Sequence, residues 1–210
     1  MARPRTARVA LLAAAERIFA ERGLAGARTE EIAAAAHCNK ALLHYYFETK
    51  EKLHQAVLEN LFLQFSGGVK DVLADTRSPR RTLFTYLDLH FTFLQQHPNY
   101  PRLFQREMMS GAPHLRALVR RHLRPVYRGL ARVLLAGMRR GEFRRVDIDN
   151  TVVSLIAMTV FYFAAAPVLS VVLEADVYEP RRVAARKRAV VDFVSQALLR
   201  PRRRRARRTT

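Results

Sequence analysis

The chain holds one cysteine, Cys38, and no tryptophan among 210 residues. A single thiol forbids an internal disulfide and leaves no cysteine-based zinc set. Only eight glycines are present. They form no glycine-rich phosphate loop, and a GxSxG elbow and an HExxH helix are also missing, so the usual motif-bearing enzyme classes have no foothold. His90 and His97, and His114 and His122, lie seven and eight residues apart without further ligands nearby, too sparse a set for a metal. No catalytic residue, metal or cofactor is assigned, and the chain is read as not an enzyme. No apolar leader precedes the first helical stretch, so a reducing cytoplasm is the expected setting.

Acidic residues are also scarce: 18 Asp and Glu against 37 Lys and Arg, a formal charge of +19. The excess is uneven. Residues 1–52 carry nine basic and six acidic side chains, residues 102–145 carry twelve and two, and residues 200–210 add seven arginines. Most positive charge therefore lies away from any one motif and bears first on solubility, steering and non-specific polyanion contact. The tail from Arg200 to Thr210 has nothing to bury and is expected to be disordered, either an idle solvated end or a non-specific DNA arm. Arg3 and Arg5 precede the first helix, where they make either a minor-groove arm or a frayed end.

What is present in abundance is helix-forming sequence: half the residues are hydrophobic, with Ala, Leu and Arg prominent. Leu11, Leu12, Ala15, Ile18 and Phe19 recur at helical spacing, and Gly23 is placed to end that helix. Thr29 stands as an N-cap, with Glu30 and Glu31 on the positive end of the helix dipole. Ile32 and Ala36 share one face at i and i+4, while Ala33, Ala34 and Ala35 let a second helix cross closely. After a corner at His37-Cys38-Asn39, Asn39 caps another short helix. Its Leu43 and Phe47 point inward, and Lys40, Ala41, Leu42, His44 and Tyr45 face out, as suits base edges and phosphates.

From Leu11 to Val57 these residues resemble the N-terminal domain of TetR-family transcriptional regulators, with Ala15, Phe19, Gly23, Thr29, Ile32-Ala33, Ala36, Lys40, Leu43, Tyr46-Phe47, Lys50-Glu51 and Leu53 agreeing in order without gaps. The resemblance implies that Thr29, Lys40, Tyr46 and Lys50 touch phosphates or the groove, and that Leu42, His44 and Tyr45 read bases. Tyr46 equally suits a half-buried ring that closes the small core. Three positions depart from the family pattern. His37 replaces a usual glycine at the corner, where a positive φ is often needed and some strain is expected. Ala41 replaces another glycine. His44 replaces a usual tyrosine that donates to phosphate, a bond either ring nitrogen can still make.

The remainder reads as helices over about 50–75, 79–96, 101–109, 113–140, 150–173 and 180–199, giving an all-α chain of about nine helices. Pro125 is expected to kink or split the fourth of these at Arg124. The expected division is a helix-turn-helix domain over 1–52, a ligand-binding and dimerisation domain over 53–199, and the tail 200–210. Asp88, His90, Phe91, Phe104, Met108 and Tyr162 are candidates for an effector pocket, against the plain alternative of a packed core. The uncharged run Asn150–Leu173 is long enough to span a bilayer, but Pro167, its polar residues and its acidic flanks favour a helix buried between two copies.

Dimerisation through the last two long helices is implied by the resemblance. The function expected is that of a homodimeric regulator of double-stranded DNA, a repressor released from a palindromic operator by a small, mostly apolar effector, with no membrane partner. A sequence-tolerant nucleoid-type DNA protein is the alternative, followed by an enzyme of unknown class.

Overall fold

The structure is a computed structural model that describes residues 4–111 and 113–200. Its helices are α1 (Pro4–Gly26), α2 (Thr29–Ala35), α3 (Lys40–Phe47), α4 (Lys50–Ala74), α5 (Pro79–Gln96), α6 (Tyr100–Met109), α7 (Pro113–Leu118), α8 (Arg124–Arg139), α9 (Ile148–Ala164), α10 (Ala166–Val172) and α11 (Pro180–Leu198). A π-helical turn over Val119–Leu123 joins α7 to α8. Arg3 and residues 201–210, which carry the two expected basic arms, lie outside the described residues, as does the side chain of Arg5. Arg200 is described, and its N–H donates to the Glu142 carbonyl at 3.1 Å.

All nine expected helices are present, and two of them are broken. Pro125 has no N–H and would collide with the carbonyl four residues back, so the chain widens to a π turn before restarting at Arg124. That turn rotates His122 into the interior. The apolar run 150–173 is likewise split, with α9 and α10 bent by 72° just before Pro167. Among the described residues no single helix is long and apolar enough to cross a membrane.

Helix α4 is the axis of the molecule. Leu53 and Val57 of its first half lie in the same buried core as α1, while Leu61, Phe65, Val69 and Leu73 face α5 and α8. The expected boundary at residue 52 thus falls inside one continuous helix. Helix α8 can approach α4 closely because Gly129 faces Leu73, where a Cβ would sit 2.8 Å from the leucine Cβ. Helices α9 and α11 then cover α5, and α6 reaches back to α1.

Candidate functional site

The corner between α2 and α3 is built by a helix stop followed by a cap. His37 N–H donates to the Ala34 carbonyl at 3.0 Å and Cys38 N–H to the Ala33 carbonyl at 2.9 Å, the paired bonds of a Schellman motif. That motif needs a left-handed residue, and His37 supplies it at φ 52° where glycine fits without strain. Asn39 then accepts from the Leu42 N–H at 2.8 Å and starts α3. The other expected cap is shifted by one residue. Arg28, extended at φ −111°, is the N-cap of α2, and Thr29 is its first helical residue, with its hydroxyl donating to Glu30 at 3.3 Å.

Leu43 and Phe47 are buried against α1, so the opposite face of α3 is turned outward. Lys40, Ala41, His44 and Tyr45 are exposed, Leu42 and Tyr46 are half-buried, and Tyr45 is 78% exposed. An apolar-edged ring so exposed on an eight-residue helix is one the fold itself does not use. Tyr46 sits edge-on to Tyr45 and tilted against Phe47, so it both closes the core and borders the outer face.

The cations of this face are already engaged. Lys40 donates to Glu30 at 2.5 Å, and that contact holds the Glu30 carboxyl down at about 2. Lys50 points back into the molecule, donating to the Ala27 carbonyl at 3.0 Å on the seam between α1 and α4. A phosphate must compete with Glu30 for Lys40, and Lys50 holds the head together before it holds anything else. The His44 Nδ1 lies 3.0 Å from the Glu48 carbonyl, which can only accept, so Nδ1 carries the proton. The outward Nε2 of a neutral His44 is then an acceptor.

Between α3 and α4 stands Glu48, at φ 59° and ψ −56°, with the Thr49 N–H bonded to the Phe47 carbonyl at 2.6 Å. This is a γ-turn of the strained hand, made by a non-glycine residue at the point where the outward helix joins α4. Sequence reading gave no sign of it, because no glycine or proline marks the turn.

The six pocket candidates are spread over α5, α6 and α9. Asp88 lies on the outer stripe of α5, where Lys187 of α11 pairs with it at 2.5 Å, and Met108 is exposed at the end of α6. Phe104 stacks on Tyr100, Phe91 packs on Phe163, and the Tyr162 hydroxyl donates to the Val177 carbonyl at 2.9 Å. His90 is buried, its Nδ1 3.1 Å from the Thr159 hydroxyl and 3.3 Å from that of Tyr86, and burial holds its titration down at about 3. Asp88 and Met108 therefore leave the set. Asp88 shares α5 with His90, but i and i+2 on a helix point apart, so its carboxylate lies on the exposed side, paired with Lys187 of α11.

The seam between the head and the larger domain contains a residue that sequence reading missed. Arg106 of α6 donates to the carbonyls of Ala20 at 3.2 Å and Glu21 at 3.0 Å, in the turn of α1 just before Gly23, whose φ of 72° and ψ of 176° break the helix there. His54 and Glu107 form a buried contact at 3.4 Å on the same seam, and a cavity of about 830 Å³ lies alongside. Among the described residues no group of three or more His, Cys, Asp or Glu is placed to hold a metal.

Known proteins show the same arrangement. A model described as bacterial regulatory proteins, tetR family, matches residues 11–57, and one described as tetracyclin repressor-like, C-terminal domain, matches residues 79–194. The chain is 28% identical over 196 residues to the HTH-type transcriptional repressor NicS of Pseudomonas putida, covering 90% of this chain and 89% of that protein. It is 29% identical over 158 residues to the HTH-type transcriptional regulator RutR of Escherichia coli, covering 75% and 74%. The solved structure of the ketosteroid transcriptional regulator KstR2 of Mycobacterium tuberculosis shares the fold at a TM-score of 0.74 and 19% identity, over 92% of this chain and 95% of that one. With its corner domain matched and the larger domain matched over more than half of the chain, this protein belongs to the TetR family of bacterial transcriptional regulators.

Proposed function

We propose that the protein is a homodimeric repressor that reads a palindromic operator and leaves it when a small, largely apolar effector binds the larger domain. The observation that carries this reading is the outward face of α3. It presents Leu42 and Tyr45 to base edges, with Lys40 and Tyr46 beside them for phosphates, His44 able to serve a base edge or a phosphate, and Ala41 adding only a methyl where the backbone approaches. Thr29 starts the flanking helix on the same side, and Lys50 contributes through the seam rather than the open face.

One such helix contacts only a few base pairs, so specificity needs two heads roughly 34 Å apart or slightly more on a twofold axis. Support for a dimer comes from Val153 and Phe161 of α9, Val168, Val171 and Val172 of α10, and Phe193 of α11, all exposed. So many large apolar side chains exposed on three consecutive helices suit burial in an interface, and a second copy covers them symmetrically. Because α4 joins the larger domain to the strained turn after α3, an effector that displaces α4 changes the separation of the two heads. The effector must bind the released form more tightly, and each tenfold of preference supplies about 1.4 kcal/mol toward release.

Selection of bound sequences from a random DNA pool tests this. A regulator enriches one palindrome and prefers it over random DNA by about a thousandfold or more at physiological salt. Uniform binding identifies instead a sequence-tolerant packaging protein, the reading that the broad positive charge favours.

A further inference from the structure

The twelve basic residues of the span 102–145 are not explained by the DNA-binding face, and three features of the fold give part of that charge a use. A cavity of about 500 Å³ opens between the second half of α4 and the start of α8. Its apolar lining comes from the buried Leu73 and Val126, with the exposed Pro125 and Leu63 at the mouth. The rim carries Lys70, Arg121 and Arg132. Arg121 is shared with Glu59 at 3.2 Å, but Lys70 and Arg132 have no ionic partner among the described residues. One polar point lies deeper in the wall. His122 is buried by the π turn and donates from Nε2 to Glu59 at 2.9 Å, which leaves Nδ1 facing the Ser66 hydroxyl at 3.2 Å.

Gly67 sits at this mouth in the middle of a 25-residue helix, where glycine costs about 1 kcal/mol relative to alanine. No neighbour demands it, since a Cβ there would meet nothing within 4 Å. Gly129 is the contrasting case, excluded from carrying a side chain by Leu73. The open space at Gly67 lies over the cavity and keeps its entrance clear.

We propose that this cavity receives a small amphipathic anion, its apolar body against Leu73, Pro125 and Val126 and its carboxylate or equivalent oxyanion between Lys70 and Arg132. The proposal rests on the reading that the larger domain takes an effector, and it names that effector's class. A volume of this size suits a small organic ligand, and two cations without partners at an apolar mouth favour a negative headgroup over a neutral or positive one. The site lies along α4, the helix that ends at the DNA-binding head, so occupancy presses on the element that positions α3.

Calorimetric titration of the full-length protein, without DNA, tests the assignment. The probes are octanoate and 2-naphthoate, each against its neutral alcohol, octan-1-ol and 2-naphthylmethanol. At least one carboxylate is expected to bind ten or more times more tightly than its alcohol. The double variant Lys70→Gln, Arg132→Gln is expected to remove that preference while leaving alcohol binding unchanged. Gly67→Leu, which places a side chain over open space, is expected to abolish binding without lowering the melting temperature. The proposal is overturned if neither carboxylate exceeds its alcohol, or if the preference survives the double variant. Because no DNA is present, a failure here leaves operator recognition standing, and loss of operator recognition leaves the anion site standing.

Discussion

Protonation of His44 should strengthen DNA binding, because the ring is oriented so that only the charged form can donate outward. Its Nδ1 proton is committed to the Glu48 carbonyl, so a neutral ring turns a lone pair toward a phosphate and repels it. Charged, the same Nε2 donates and neutralises. Of the charged side chains around it, Glu48 and Lys52 are paired with each other across one helical turn, and Lys40, one turn earlier on the same face, is paired with Glu30. Each phosphate neutralised adds about 0.9 to the slope of log affinity against log salt. Two heads therefore predict a slope steeper by up to about 1.8 with His44 charged than with it neutral, so the salt series is run at pH 6 and at pH 8. Fluorescence anisotropy with the selected operator, over a salt series at each pH, measures this. His44→Gln keeps a hydrogen-bonding group without the charge and should give one slope at both pH values. An affinity flat from pH 6 to 8 refutes the orientation argument, as does a pH response that persists in His44→Gln, which would move the effect to another group such as the exposed His37 at the corner.

Three further outcomes follow from single positions. His37→Gly relieves a left-handed residue in the Schellman corner and should stabilise the protein by about 1 kcal/mol in urea unfolding, with no change in the slope of the transition. The same small substitution should have opposite effects at two helical glycines. Gly67→Ala meets nothing and gains about 1 kcal/mol of helix propensity, whereas Gly137→Ala drives a methyl to 2.1 Å from the buried Phe143 ring and should lose roughly 1–3 kcal/mol. Equal effects at the two sites would contradict the packing described at Phe143. Finally, folded His90 stays neutral down to about pH 3 because burial disfavours its charge, while the unfolded chain protonates it near 6.5. Stability is therefore lost as pH falls from about 6.5 toward 3. His90→Asn should make that acid limb shallower by one proton, about 1.4 kcal/mol per pH unit, and an unchanged limb would show that the ring is not desolvated.

Where an element is specified by local chemistry, the sequence was enough. The periodicity of Leu11 to Phe19, the Asn39 cap, the inward pair Leu43 and Phe47, and the proline and glycine stops all act within a few residues, so they place the helices and the outward face of α3 without knowledge of the rest. The strain at His37 was also legible, through the glycine that TetR-family members usually carry at that corner, and φ 52° bears it out. Thr29 was misplaced by one position for a related reason: a cap is decided by a single φ/ψ, and the extended residue is Arg28, whose side chain makes no cap bond.

What only the tertiary structure decided depends on contacts far apart in sequence. Lys40 and Lys50 read as free phosphate ligands until folding brought Glu30 and the Ala27 carbonyl to them. Asp88 read as a pocket residue until folding turned it to the exposed side of α5, where Lys187, 99 positions later, pairs with it. The strained turn at Glu48, the grip of Arg106 on α1 and the basic cavity beneath Gly67 have no sequence signature, since each exists only where separate helices meet. A helix face announces itself through its own spacing, whereas what that face touches is set by the packing of the whole chain.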